Sequence, residues 1–420
     1  IGKLGIEESY ESHLHGEVGF QKVEVNAEGR VIRVIERTNA KPGKNIYLTI
    51  DLSLQEIAIE SLNNKKGAIV AMDPRNGEIL TFVSSPSYDP NAFSSGIDSQ
   101  LYQSLLSSKE KPLINRVIQG KYPPGSTIKP FLGLIALENG IKNVKEEVWC
   151  PGWFSLEGHE HRYRDWKKQG HGYTDLSKAI IQSCDVFFYK LAYELGIDQI
   201  YKGLSRFSFG QISGLDISDE RIGLLPSREW KRRSKNEAWF PGETVILGIG
   251  QGYFLITPMQ LVKATSAIAT NGLVVKPRLV LGINSPGEKG LTLLSDNIES
   301  QISLKNDFFW KQIIDSMKSV VHEVGGTAWR SGLNAKYNFA GKTGTAQVIG
   351  IAQEEEYKEE EIPEELQDHA LFIAFAPVEA PEIAVAIIVE NGGGGSKAAA
   401  PIARKMFDNY FTNRNLISNE

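Results

Sequence analysis

The chain has 420 residues, a formal net charge of −5 and 41% hydrophobic residues. That length predicts one large domain with a small appendage around a sizeable core. The mild charge argues against a nucleic-acid partner, and no apolar run reaches the roughly 18 residues that a membrane-spanning helix needs.

In chain order, Val31-Ile32-Arg33-Val34-Ile35 reads as a strand, and Leu48-Thr49-Ile50-Asp51 opens the main body. Gly67 to Leu80 reads as a hairpin, with Asn76-Gly77 as its turn. Ser108-Lys109-Glu110-Lys111, followed at once by Pro112, is a first S-x-x-K match. It is polar, has no apolar helix directly behind it, and reads as a solvated turn. A chain of this length yields such a match about once or twice by chance, so context has to decide.

Ser126-Thr127-Ile128-Lys129 has a different context. Tyr122-Pro123-Pro124-Gly125 is an extended lead-in, and Phe131 to Glu138 is apolar on most faces and closed by Asn139-Gly140. This predicts a buried helix starting near Ser126. Pro130 is tolerated there because the first four amides of a helix have no partner within it. The positive helix end favours an oxyanion or alkoxide, and Lys129 lies one turn on, on the same face. A serine hydroxyl is a weak nucleophile until a base takes its proton. A lysine at its ordinary value of about 10.4 is protonated and cannot do so. Desolvation or a second cation, for which Lys342 is the candidate, lowers that value.

A helix is predicted from Thr174-Asp175, both good N-cap types, leading into the polar break Ser183-Cys184-Asp185. An apolar stretch, Val186 to Leu195, follows and stops at Gly196. Two helices around that break would aim Ser183 and Asp185 into a cleft. Tyr337 to Val348 reads as a strand carrying Lys342-Thr343-Gly344-Thr345, with Ala370 to Pro377 as its mate. Gly344 permits close approach of a ligand, and Lys342 offers a point charge for a carboxylate. Between the two, residues 354–368 hold eight Glu and one Asp against Lys358, a local −8 that leaves about +3 for the rest. This stretch reads as a solvated loop. Gly392 to Ser396 reads as a loop tip, and the tail after Phe411 as frayed.

S-x-x-K, an S-x-N type element and K-T-G in this order point to acyl transfer at a serine. With Ile249-Gly250-Gln251-Gly252-Tyr253, Thr257-Pro258-Met259-Gln260, Arg162 to Lys168 and Gly170-His171-Gly172, the chain resembles the class B penicillin-binding proteins, their elongation branch above all, over roughly residues 48 to 412. Asp185 departs from the asparagine of the wider family; the elongation branch is similar in using aspartate.

The resemblance implies a mixed α/β fold of the serine β-lactamase and penicillin-binding transpeptidase type. It has a central antiparallel sheet and a helical lobe (48–412), a non-catalytic pedestal remnant (1–47) and a tail (413–420). It implies catalytic roles for Ser126, Lys129, Ser183, Asp185 and Lys342, and carboxylate binding by Lys342, Thr343 and Thr345 beside Gly344. The amides of Ser126 and Thr345 would form an oxyanion hole. The expected substrates are peptidoglycan stem peptides, a D-Ala-D-Ala donor and an amine acceptor, with β-lactams as acylating mimics. A membrane glycan polymerase of the elongation machinery is the expected partner. The expected location is the periplasm, on an inner-membrane protein whose N-terminal anchor helix is absent from this sequence. The alternatives are a β-lactamase, a D-alanyl carboxypeptidase and a non-catalytic β-lactam sensor.

Cys150 and Cys184 are the only cysteines, and in an oxidising compartment they could form a disulfide. Asp165 and His171 lie between them, and two thiolates, an imidazole and a carboxylate are a suitable tetrahedral zinc set. Similar elongation enzymes carry zinc at matching positions, so the resemblance implies structural zinc at Cys150, Asp165, His171 and Cys184. His159 and His161 read as solvated. No cofactor is expected in the acyl transfer itself.

Overall fold

The structure, a computed structural model, describes residues 2–94, 96–143, 145–294, 298–348 and 362–414. Its centre is a five-stranded antiparallel sheet. The strands are β1 (Gly67–Met72), β2 (Ile79–Ser85), β3 (Ala340–Ala346), β4 (His369–Ala376) and β5 (Ile383–Val389), in the order β3-β4-β5-β1-β2. β1 and β5 are buried at every position, and β4 at every position except its first residue, His369. These strands therefore read as continuous apolar runs, because helices cover both faces of the sheet. Helix α1 (Leu52–Leu62) and the C-terminal helix α7 (Ala400–Asn413) pack together, α1 also against β2 and α7 against β4 and β5. Helix α5 (Pro258–Ala269), buried at every residue, packs on β1, β4 and β5, and α6 (Phe308–His322) packs on β3.

The helical lobe is built on α2 (Lys129–Glu138), α3 (Leu176–Ile181) and α4 (Asp185–Ser205). α2 packs against α4, and α3 against α6. The site lies where this lobe meets β3, the edge strand. The mixed α/β architecture, the hairpin β1–β2 and the pairing of β3 with β4, Lys342 opposite Ile373, are as the sequence predicts.

At the N-terminus, a two-stranded sheet (Phe20–Val25 with Val31–Thr38) projects with Val31–Thr38 exposed throughout. The segment is tied to the main body by the pairing of Asn45–Leu48 with Val280–Asn284 and by Tyr10 Oη donating to Asp216 Oδ2 at 2.8 Å.

The apolar helix stops at Gly196 (φ 70°), as the sequence predicts, and a second helical run follows directly to Ser205. One expectation is corrected. The glycine run 392–395 is not a loop tip. Gly395 is buried at the start of a short helix, Gly395–Ala398, and a side chain there would overlap the carbonyl oxygens of Leu371 and Gly344. Close packing behind β3 and β4 is what demands glycine. Of the acidic stretch, residues 354–361 lie outside the described residues, as do 415–420 of the tail; Glu364–Leu366 forms one exposed 3₁₀ turn.

Candidate active site

Ser126 sits in a 3₁₀ turn, Gly125–Ile128, that runs directly into α2, so the nucleophile candidate lies at a helix start as predicted. Gly125 has φ 53°, and a Cβ there would stand 2.5 Å from the carbonyl oxygen of Thr345. The turn thus bears directly on β3, and only glycine fits. Ser126 is half-buried, and among the described residues its hydroxyl makes no hydrogen bond. The other S-x-x-K match, Ser108 to Lys111, is a turn outside the site, with Lys111 N donating to Ser108 O.

Ser183 lies in the break between α3 and α4 with φ 57°. For a residue with a Cβ this left-handed backbone costs about 1–2 kcal/mol, and it persists because its polar atoms are held on several sides. Lys129 Nζ donates to Ser183 O (2.9 Å), Ser183 Oγ (3.2 Å) and Asp185 Oδ1 (2.6 Å). Lys342 Nζ donates to Ser183 Oγ (2.9 Å) and Thr343 O (3.1 Å). One hydroxyl therefore bridges two lysines that are both 0% exposed. Burial, reinforced by the charge of Lys129 and opposed by Asp185, holds Lys342 well below the ordinary lysine value. From the sequence, Lys342 is the candidate cation that depresses Lys129. In the structure Lys129 has Asp185 as its counter-charge, and Lys342 is the lysine pushed toward neutrality.

On β3, Gly344 packs against Thr127, and Thr345 is exposed with its carbonyl accepting from Gln251 Nε2 at 3.2 Å. The Thr345 peptide edge therefore faces the Ser126 turn. Thr343 Oγ1 is 2.8 Å from Thr327 Oγ1, and Thr327 N donates to Ile181 O. Thr327 was missed in the sequence. It stands outside the three motifs, and no local pattern distinguishes it.

Asp165, Cys150, His171 and Cys184 are buried, and one ligand atom from each lies within 4.8 Å of all the others. Neighbouring separations are 3.6 Å (Cys150 Sγ to Asp165 Oδ2), 3.7 Å (Cys150 Sγ to His171 Nδ1) and 3.4 Å (Cys184 Sγ to Asp165 Oδ2, and His171 Nδ1 to Asp165 Oδ1). Zinc bonds of about 2.0–2.3 Å in a tetrahedron give ligand–ligand edges of about 3.3–3.8 Å. The donor set and its spacing fit such an ion, and both thiols are free. Despite burial, His171 and the amides of Lys167 and Val186 pull Asp165 down to about 2. His171, against its own burial, is raised to about 9 by Asp165 and Cys150.

Asp165 Oδ2 also accepts from Asp185 N (2.8 Å) and Val186 N (3.1 Å), capping α4 from a distant loop. The next residue, Trp166, donates its amide to Asp185 Oδ2 at 3.1 Å. The cluster and the Ser183–Asp185 break are therefore one hydrogen-bonded unit. His159 and His161 are exposed and outside the cluster.

The description "Penicillin binding protein transpeptidase domain" matches residues 67–408, and "Penicillin-binding Protein dimerisation domain" matches residues 1–48. The chain is similar to peptidoglycan D,D-transpeptidase MrdA of Salmonella typhimurium (43% identity, 98% of this chain and 66% of the relative) and of Escherichia coli K12 (41%, 99% and 65%). It thus spans just under two thirds of the curated relatives it matches. Among solved structures it resembles Pseudomonas aeruginosa PBP2 in complex with WCK 5153 (TM-score 0.84, 42% identity, 98% of this chain and 82% of that one). It also resembles PBP2 in complex with MreC from Helicobacter pylori (TM-score 0.84, 35%, 99% and 73%). With this fold and these matches, the chain belongs to the family of penicillin-binding protein transpeptidase domains.

Proposed function

We propose that this chain is the catalytic part of an elongation-type peptidoglycan D,D-transpeptidase that works through a Ser126 acyl-enzyme. The observation that carries the reading is the Lys129–Ser183–Lys342 chain beside Ser126. An ammonium has three donors and no acceptor, and Lys129 has three acceptors around it. It becomes a base only by releasing a proton. Ser183 Oγ takes that proton and passes its own to Lys342, whose charge burial disfavours at rest and whose new charge the substrate's terminal carboxylate balances. The free amine of Lys129 then accepts the Ser126 proton as Ser126 Oγ attacks the D-Ala-D-Ala carbonyl.

Lys342, Thr343 and Thr345 bind the terminal carboxylate beside Gly344, and the amides of Ser126 and Thr345 stabilise the oxyanion. Ser183 returns a proton to the leaving D-alanine. The amine of a second stem peptide then displaces Ser126 and closes the cross-link. β-Lactams acylate Ser126 by the same route. The donor set at Cys150, Asp165, His171 and Cys184 supports structural zinc, which would brace Ser183 and Asp185 through Asp165 and take no part in the acyl transfer.

The relatives support the cellular context: a PBP2 is solved with MreC, and another structure bears the name of a peptidoglycan synthase complex coordinating polymerization and crosslinking. We place the domain in the periplasm as part of an inner-membrane protein, working with a glycan polymerase. No described helix is long and apolar enough to cross a membrane. Residues 1–47 are read as pedestal, 48–412 as the catalytic domain and 413–420 as tail. The test is incubation with a D-Ala-D-Ala donor peptide and an amine acceptor, followed by mass spectrometry. A cross-linked product is expected; hydrolysed donor alone would make the protein a carboxypeptidase, and rapid turnover of β-lactam a β-lactamase. Covalent β-lactam binding with no peptide turnover would make it a sensor.

A further inference from the structure

Among the described residues Ser126 makes no side-chain hydrogen bond, so what holds the backbone ahead of it bears directly on where its hydroxyl stands. That backbone is Tyr122-Pro123-Pro124-Gly125. Tyr122 is paired on one side with Ile256 (N to O 2.9 Å, and 2.8 Å in return). Its ring is 5% exposed, with the ring of His369 edge-on at 5.7 Å. Its hydroxyl donates to Glu390 Oε1 at 2.6 Å. The same oxygen accepts from Arg116 Nε at 2.8 Å. Arg116 is itself fixed, with Nη2 donating to Glu110 O at 2.6 Å and Nη1 to Lys111 O at 3.3 Å. The Arg116 and Glu390 side chains are 5% and 17% exposed.

Glu390 immediately follows β5, a strand paired on both sides, and its amide donates to Lys66 O at 2.8 Å. It is the rigid end of the arrangement. From Tyr122 the chain reaches Ser126 through two prolines whose φ is locked, and through Gly125, wedged against Thr345. Few soft torsions separate the phenol from the nucleophile. Among the described residues no hydrogen bond or ion pair joins Glu390 or Arg116 to Lys129, Lys342 or the metal-type cluster, and neither Glu390 nor Arg116 lies in the three motifs of the acyl-transfer site.

We propose that Glu390 is a positioning residue for the nucleophile: its carboxylate, neutralised by Arg116, anchors Tyr122 to the sheet and thereby sets the turn that presents Ser126 to Lys129 and the Thr345 amide. This rests on Ser126 being the acylated serine. An error of about 1 Å in placing a reacting group costs about 100-fold in rate, so a partial loosening predicts a smaller loss confined to the bond-forming step.

The test uses Tyr122→Phe, Glu390→Gln and the double variant, each acylated by a chromogenic β-lactam in stopped flow. The dissociation constant and the acylation rate constant are separated, and melting temperature is followed in parallel. The expected result is an acylation rate constant lowered about tenfold, a dissociation constant within about twofold of wild type, and an unshifted pH profile. The double variant should be no slower than Glu390→Gln, because both act through one contact. If Glu390→Gln fails to fold, Tyr122→Phe decides, since it leaves the Arg116–Glu390 pair in place. Single variants matching an acylating wild type, losses confined to the dissociation constant, or fully multiplicative losses in the double variant overturn the inference. A wild type that forms no adduct overturns the Ser126 reading itself, and this inference with it.

Discussion

Replacing Asp185 by alanine tests the central electrostatic argument. Lys129 is fully buried, and its only ion-pair partner among the described residues is Asp185 at 2.6 Å, a side chain 12% exposed. Removing one partner of a buried pair leaves an uncompensated charge and costs about 3–5 kcal/mol. For 420 residues, an unfolding entropy of about 2.1 cal/mol/K per residue totals about 0.9 kcal/mol/K, so the melting temperature should fall by about 3–6 °C. Asp185→Asn should fall less, because its amide oxygen still accepts from Lys129, while the amide nitrogen replaces only the oxygen that accepts from the Trp166 amide. Differential scanning fluorimetry at pH 7 makes the comparison. A drop below about 1 °C in the alanine variant would mean that the pair is not the buried, mutually dependent contact described above.

Three further outcomes follow from the geometry. Lys342 has a folded-state value below its unfolded one, so the unfolded chain binds more protons between the two, and stability should rise with pH through that window and be lost as pH falls from about 10.5. Acylation by the folded protein should rise with pH through the folded-state value of Lys342 alone, and Asp185→Asn, which removes the interaction favouring the Lys342 proton, should move that rise to lower pH; a rise that stays put refutes Lys342 as the acceptor. Gly395→Ala, forced against the Leu371 and Gly344 carbonyls, should cost about 1–3 kcal/mol of stability and slow acylation by displacing β3, as urea unfolding and adduct kinetics would reveal. Chelation should lower the melting temperature and the acylation rate together, with about one zinc per chain found in untreated protein by elemental analysis; an unchanged melting curve in metal-free protein counts against the zinc site.

The features legible in the sequence are those written locally. The Pro-Pro-Gly lead-in, the apolar run after Ser126 and the N-cap Asp175, whose side chain accepts from Lys178 N, placed both helix starts. Alternation around Lys342 placed the edge strand and its mate. What escaped depends on chain segments brought together from afar. Gly196 ends its first helical run as a glycine should, but packing of Ile197, Ile200 and Leu204 into the core restarts the helix at once. The glycines at 392–395 have the composition of a loop, and only the close approach of Gly395 to β3 and β4 gives them another meaning. Thr327, Glu390 and the capping role of Asp165 act across 16, 268 and 20 residues respectively. The charge balance of the two lysines likewise depends on which one Asp185 reaches, and spacing does not encode that.

The most direct measurement is intact mass after incubation with a penicillin, for the wild type beside Ser126→Ala. The account predicts a persistent adduct of one drug mass on the wild type and none on the variant. An adduct that survives in Ser126→Ala, or a wild type that neither gains mass nor consumes the drug, would contradict it.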